Sequence, residues 1–63
     1  MYKVLDLKNG NFLKTMRYVV HKTSVSYKEV DIEWKMESHA KSFANTYAKT
    51  HRDNPCYYEV INV

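Results

Sequence analysis

The chain has 63 residues, of which 44% are hydrophobic and 14% aromatic, with one glycine and one proline. A chain of this length buries only about 60% of the surface that it exposes when unfolded, which excludes an enclosed substrate pocket of ordinary size. The net charge of +3 is spread along the sequence and favours an anionic partner only weakly.

A hairpin is predicted at the start of the chain. Tyr2 to Lys8 is strand-like, and Asn9-Gly10 is the strongest short-range signal for a two-residue type I′ turn. The second strand then begins at Asn11 or Phe12 and runs to about His21, with Leu7 opposite Phe12. A bulged turn would exchange the two faces. The register predicts this core face: Leu5, Leu7, Phe12, Met16, Tyr18 and Val20.

The middle of the chain predicts a turn and a third strand. Lys22-Thr23-Ser24 is a polar break, and apolar residues then alternate with polar ones from Val30 to Met36. Val25 and Tyr27 alternate in the opposite phase, which predicts a bulge near Lys28-Glu29. A long helix from Glu29 is the alternative, but at helical spacing the apolar residues do not form a continuous face.

One helix is predicted over residues 38–52, with Ser38 as its N-cap. Its apolar residues recur with a period of 3.6: Ala40, Phe43, Ala44, Tyr47 and Ala48. The opposite face is polar and basic: Lys41, Asn45, Lys49 and Arg52. Asp53-Asn54-Pro55 ends the helix, because the residue before proline avoids the α region.

The chain closes with a predicted strand from Cys56 to Val63. The order of elements is therefore β-β-β-α-β. We expect a single α+β domain over residues 1–63, with a mostly antiparallel four-stranded sheet and one helix packed on one face.

The sequence favours neither catalysis nor metal binding. His21, His39, His51 and Cys56 lack the spacing of a zinc site, and a single glycine cannot build a phosphate-binding loop. Cys56 is interpreted as a small buried hydrophobic residue at the start of a strand. We therefore expect a protein that is not an enzyme and that holds no cofactor or metal.

Binding is the remaining class of function. Trp34, Tyr27 and Tyr57 are candidate aromatic anchors for a protein partner, and a core position under the helix is the alternative for Trp34. Lys41, Asn45, Lys49 and Arg52 of the helix form a second candidate surface. A homodimer that buries the open sheet face is a further option.

Nucleic acid is the alternative partner. A basic sheet rich in tyrosine can stack bases, and three strands followed by a helix resemble the arm-type DNA-binding domains of phage-type integrases. The acidic third strand counts against this alternative. No apolar run approaches the ~20 residues of a membrane span, and a lone Cys56 is typical of a reducing compartment, so we expect a cytoplasmic protein without a membrane partner.

Both ends of the chain resemble small accessory proteins of tailed bacteriophages. The resemblance lies in residues 2–10, in Ala-Lys-Ser-Phe-Ala at 40–44 and in Tyr-Glu-Val-Ile-Asn-Val at 58–63, and it does not cover residues 18–37. It implies an early protein that binds a host protein, such as RNA polymerase, a nuclease or a defence factor, and inhibits or redirects it.

Overall fold

The computed structural model describes residues 1–63 and shows an α+β fold with one helix, as predicted. Its elements are β1 (Tyr2–Asp6), β2 (Asn11–Phe12), β3 (Lys14–Val20), β4 (Val25–Asp31), α1 (Glu37–Thr50), a 3-10 turn (Pro55–Tyr57) and β5 (Tyr58–Asn62). All strand pairs are antiparallel. The prediction of a single four-stranded sheet is wrong, because β2, β1 and β5 form one sheet in that order while β3 and β4 form a separate hairpin.

The first turn is longer than the predicted two residues. Asp6 is buried at the end of β1, and its carboxylate accepts hydrogen bonds from the backbone N–H of Lys8 at 2.9 Å and from the Asn9 side chain at 2.8 Å. These bonds hold a four-residue loop in which Gly10 has a φ of 73°, a conformation that glycine adopts without strain. Leu5, and not Leu7, therefore lies opposite Phe12.

The predicted core face of the first hairpin is also wrong. The fully buried residue of β1 is Val4, whereas Leu7 is 49% exposed. Ala40, Ala44 and Ala48 of α1 are small enough for the helix to lie close to the sheet on the Val4 side. The core consists of Val4, Leu13, Ala40, Ala44, Ala48 and Tyr58, with Tyr2, Ile32, Trp34, Phe43, Tyr47 and Val60 packed around it.

The chain leaves the three-stranded sheet at Leu13 and returns to it at Trp34. Leu13 donates its N–H to the carbonyl of Val4 at 2.9 Å, and Trp34 and Tyr2 exchange two backbone hydrogen bonds at 2.8 and 2.9 Å. Between these points the β3–β4 hairpin departs from the sheet. The predicted bulge near Lys28-Glu29 is absent, since β3 and β4 pair in continuous register as far as Asp31. The apolar residues change face within β4, between Tyr27 and Val30, and Ile32 and Trp34 continue the second phase into the core periphery.

Helix α1 begins and ends earlier than predicted. Met36 is its N-cap residue and makes no side-chain capping bond, so Ser38 lies inside the first turn. After Thr50 the backbone N–H of Arg52 bonds to the carbonyl of Lys49 and that of Asp53 to the carbonyl of Ala48, which is a Schellman motif. Arg52 takes the left-handed conformation that this motif requires, with a φ of 54°.

The C-terminal strand β5 begins at Tyr58, two residues after its predicted start at Cys56. Pro55–Tyr57 forms the 3-10 turn, and the Asn54 side chain accepts a hydrogen bond from the backbone N–H of Cys56 at 3.0 Å. The Cys56 side chain is exposed, so its interpretation as a buried residue was wrong. Tyr58 opens β5 and is buried against α1.

Candidate functional site

The β3–β4 hairpin extends from the rest of the molecule. Its strands pair only with each other, from Lys14 opposite Asp31 at the base to Val20 opposite Val25 at the tip. Seven residues per strand give it a length of about 23 Å, within a molecule whose longest dimension is 44 Å. The tip is the predicted turn at residues 22–24, closed by a hydrogen bond from the His21 N–H to the Ser24 carbonyl at 2.8 Å.

One face of this hairpin is apolar and exposed. Because residues opposite each other share a face, the register collects five large apolar side chains there, which we name the apolar stripe: Met16, Tyr18, Val20, Val25 and Tyr27. Each is between 51% and 66% exposed. The rings of Tyr18 and Tyr27 contact each other edge-to-face, with centroids 5.7 Å apart. The stripe exposes roughly 500 Å² of side-chain surface, a patch size that is often functional.

The other face of the hairpin carries only positive charge. Arg17 lies directly opposite Lys28, and neither forms a salt bridge. Like charges that face each other across a strand pair are destabilising. The acidic residues Glu29 and Asp31 project from the stripe side. We name this second surface the cationic face: Thr15, Arg17, Val19, Ser26, Lys28 and Val30.

The three candidate aromatic anchors lie in different surroundings. Tyr27 belongs to the apolar stripe and is 66% exposed. Trp34 packs against Phe43 of the helix, with ring centroids 4.9 Å apart, and is part of the core periphery. Tyr57 is 43% exposed in the 3-10 turn, with the Lys8 ammonium 5.7 Å from its ring centre. These aromatic residues therefore do not form one surface.

The candidate residues of the helix are also divided. Lys41 pairs with Glu37 at 2.8 Å, and this hydrogen bond raises the pKa of Lys41. Lys41 and Asn45 border a groove beside β5, whereas Lys49 is exposed in the last turn. Arg52 lies beyond the end of the helix. Lys41, Asn45 and Lys49 share one side of α1 by their four-residue spacing, and only Arg52 is separate from them.

A polar cluster connects the first loop, the end of the helix and β5. The Lys8 ammonium and the Tyr58 hydroxyl both donate to one carboxylate oxygen of Asp53, the hydroxyl at 2.7 Å. The hydrogen bond from Lys8, followed by that from Tyr58, lowers the pKa of Asp53. The same bonds raise the pKa of Lys8 and of Tyr58. Because the raised pKa values keep the Lys8 ammonium and the Tyr58 hydroxyl protonated, neither is activated as a nucleophile. The cluster is best understood as a link between three elements.

The remaining surface offers two open grooves. The larger, about 740 Å³, runs along the base of the hairpin beside Lys3 and Ile32. The smaller, about 440 Å³, lies between α1 and β5. No three His, Cys, Asp or Glu side chains are grouped as metal ligands. No helix has the length and apolar character that crossing a membrane requires.

Of the apolar stripe, only Tyr27 is predicted from the sequence as a binding residue. Met16, Tyr18 and Val20 are predicted in the core, and Val25 has no predicted functional role. The signal was present in the turn at Lys22-Thr23-Ser24, because pairing around that turn alone groups these residues on one face.

Comparison of the chain with protein-family models, with curated proteins and with solved structures finds no match in any of the three.

Proposed function

We propose that this protein is a non-enzymatic accessory protein that binds a host protein through the apolar stripe of its β3–β4 hairpin. One observation carries the proposal: five large apolar side chains, each more than half exposed, line one face of a hairpin whose strands pair only with each other. Tyr and Met are enriched in the cores of protein interfaces, and both occur in the stripe.

The hairpin itself gains from such a partner. A two-stranded hairpin without a covering layer is only marginally stable in water. A protein that covers Tyr18 and Tyr27 would remove their rings from water and supply the missing layer. Binding would therefore stabilise the hairpin while burying the stripe.

The mechanism is steric occlusion. A hairpin about 23 Å long can lie along a groove or an exposed sheet of the partner and block its surface, without any chemical step by this chain. The resemblance of residues 2–10 and 58–63 to accessory proteins of tailed phages favours a bacterial host protein as the target, in the host cytoplasm. The apolar stripe takes the place of Trp34 and the basic helix face as the main contact surface.

A capture experiment with paired variants tests this proposal. Tagged protein is incubated with nuclease-treated bacterial lysate, and recovered proteins are identified by mass spectrometry. The wild type should recover one dominant protein. The double variant Tyr18→Ser/Tyr27→Ser should reduce that recovery at least about tenfold, because aromatic anchors dominate interface energies.

The matched control changes two residues that face each other on the cationic face of the same hairpin. Arg17→Ser/Lys28→Ser should recover the partner as the wild type does, since these residues lie on the cationic face. Equal recovery by the tyrosine variant, or recovery of no dominant protein by the wild type, contradicts the proposal.

Nucleic acid is the second candidate, favoured by the unpaired Arg17 and Lys28 on a face without acidic residues. A two-stranded ribbon fits the major groove of DNA. Binding to a duplex oligonucleotide should then weaken steeply between about 50 and 200 mM salt. Arg17→Ser/Lys28→Ser should reduce the slope of log affinity against log salt by about two. Affinity that does not change with salt excludes this candidate.

A further inference from the structure

The outer edge of the three-stranded sheet is unpaired. β5 bonds to β1 through its odd-numbered residues, as the backbone bonds of Leu7 to Tyr57 and of Val63 to Met1 establish at the two ends. Backbone groups alternate in direction along a strand. The N–H and C=O groups of Val60 and the N–H of Asn62 therefore point away from the sheet and have no partner within the chain.

This edge lacks the usual protection against pairing. Native edge strands are commonly guarded by lysine, proline, a bulge or a covering element. β5 contains none of these residues and pairs with β1 over all five of its residues in continuous register. Its only charged residue is Glu59.

The space beside the edge is open. A groove of about 440 Å³ lies between β5 and the helix and is lined by residues 58–60 on the strand and by Ala44 and Asn45 on the helix. The ion pair of Lys41 with Glu37 also borders it, so the helix side of the groove carries no unpaired charge. The small Ala44 side chain leaves room for the side chains of a neighbouring strand on the helix side of the sheet.

We propose that the free edge of β5 pairs with the β5 edge of a second copy of this chain, which forms a symmetric dimer with a continuous six-stranded sheet. The arrangement is antiparallel and is centred on Val60. Val60 faces Val60 of the second copy, and Tyr58 faces Asn62. Both helices then lie on the same side of the sheet, and the side chains of Val60 and Asn62 from each copy fill the groove of the other.

The direction of the backbone groups along β5 favours this register. Only even-numbered residues of β5 point their backbone groups outward, so a symmetric pair is centred on a hydrogen-bonded residue (Tyr58, Val60 or Asn62) or on a non-hydrogen-bonded one (Glu59 or Ile61). Centring on Glu59 opposes two like charges. Centring on Ile61 leaves Tyr58 outside the ladder. Centring on Tyr58 brings the 3-10 turn into the ladder, and centring on Asn62 uses only the last residues of the strand. The Val60 register uses the whole strand.

The same register satisfies the unpaired backbone groups without a conflict of charge. Val60 and its copy exchange two hydrogen bonds, and each Asn62 N–H donates to the carbonyl of the other Tyr58. The Tyr58 N–H is already bonded to the carbonyl of Pro55, which limits the ladder to these bonds. Glu59 faces Ile61, so no like charges are opposed. A second copy thus complements β5 in both hydrogen bonding and charge.

Two variants at one position test the dimer. Asn62→Pro removes an outward N–H, a change that an edge strand tolerates, whereas Asn62→Ala keeps this group. Sedimentation equilibrium from about 1 μM to about 1 mM should show that the wild type and Asn62→Ala approach twice the mass of one chain. Asn62→Pro should weaken the dimer at least about tenfold, through the lost hydrogen bonds and the bulk of the ring.

Amide hydrogen exchange provides the second measurement. Protection of the Val60 N–H should rise with protein concentration, whereas that of Ile61, which pairs with Lys3 within the chain, should not change. A wild type that stays monomeric, an unaffected Asn62→Pro dimer, or a dimer that only Tyr18→Ser/Tyr27→Ser disrupts would overturn the proposal. Because the β5 edge and the apolar stripe are separate surfaces, loss of either function leaves the other testable.

Discussion

At the scale of single residues, Arg52 holds a conformation that its side chain does not favour. Its φ of 54° lies in the left-handed region, where a side chain with a Cβ atom is strained, and the Schellman motif at the end of α1 requires it there. Glycine is the usual residue at such a position. The strained φ of Arg52 therefore lowers the stability of the folded chain, and substitution by glycine should remove this strain.

Arg52→Gly should raise the free energy of unfolding by up to about 1 kcal/mol, because the relief of strain exceeds the extra freedom that glycine gives the unfolded chain. Arg52→Ala is the control, since it removes the charge and keeps the strained φ. Urea unfolding followed by circular dichroism measures both. A glycine variant no more stable than the alanine variant contradicts this explanation.

Asp6 and Asp53 determine how stability responds to acid. Although burial alone raises the pKa of Asp6, the hydrogen bonds from Asn9 and Lys8 outweigh it and lower this pKa. The pKa of Asp53 is lowered by Lys8 and Tyr58. Both carboxylates have folded pKa values below their ordinary value of 3.8. Their contribution is therefore complete above pH 3.8 and is lost as the pH falls through the lower folded values.

Asp53→Asn should be less stable than the wild type at neutral pH and should lose less of its stability as the pH falls below 3.8. Thermal unfolding at a series of pH values measures this. Tyr58→Phe removes one hydrogen-bond donor to Asp53. It should also lower the stability at neutral pH and reduce its loss in acid, by less than Asp53→Asn does. Parallel acid profiles for the wild type and Asp53→Asn would show that Asp53 does not contribute to the response.

At the scale of elements, the β3–β4 hairpin is an insertion into the edge of a sheet. Leu13 and Ile32, which flank it, are joined by a backbone hydrogen bond of 3.1 Å. The strands β1 and β5, helix α1 and Leu13, which directly follows β2, contain the whole core. Few interactions connect the hairpin to this body, the clearest being the salt bridge between Lys3 and Asp31 at 3.0 Å.

Replacement of residues 14–31 by Asn-Gly should therefore leave the body folded. The expected loss is about 1 kcal/mol or less, because a partly exposed salt bridge contributes little. Helical circular dichroism and a cooperative urea transition are the measurements. Leu13→Ala, which removes a buried core side chain, should cost more, about 2–5 kcal/mol. Loss of the helical signal on excision would show that the hairpin is part of the folding unit.

The periodicity of the sequence predicts the helix and the class of fold, but it does not predict the pairing register or the number of sheets. The spacing of Ala40, Ala44 and Ala48 identifies a helix whatever it packs against. The register of β1 depended on Asp6, whose carboxylate lengthens a turn that Asn9-Gly10 alone predicts as short. Alternation along β4 shows which residues share a face, but an exposed apolar face has the same pattern as a buried one. Met16, Tyr18 and Val20 of the apolar stripe are therefore predicted as core residues, whereas Tyr27 is predicted as an anchor for a partner.

At the scale of the whole molecule, the small body has one buried layer and the hairpin contributes nothing to it. Apolar side chains that could have extended the core lie outside it, in the apolar stripe. A protein of this size can keep such a surface in water only at the risk of self-association. The simplest physical reason for its presence is a partner that covers it.

Site-specific photo-crosslinking tests that claim most directly. A photoreactive phenylalanine derivative is placed at Tyr18 on the stripe or at Arg17, its neighbour on the opposite face, and the protein is irradiated inside bacterial cells. The account predicts one dominant protein adduct from position 18 and little from position 17. Equal adducts from both positions, adducts to nucleic acid alone, or none from position 18 would contradict it.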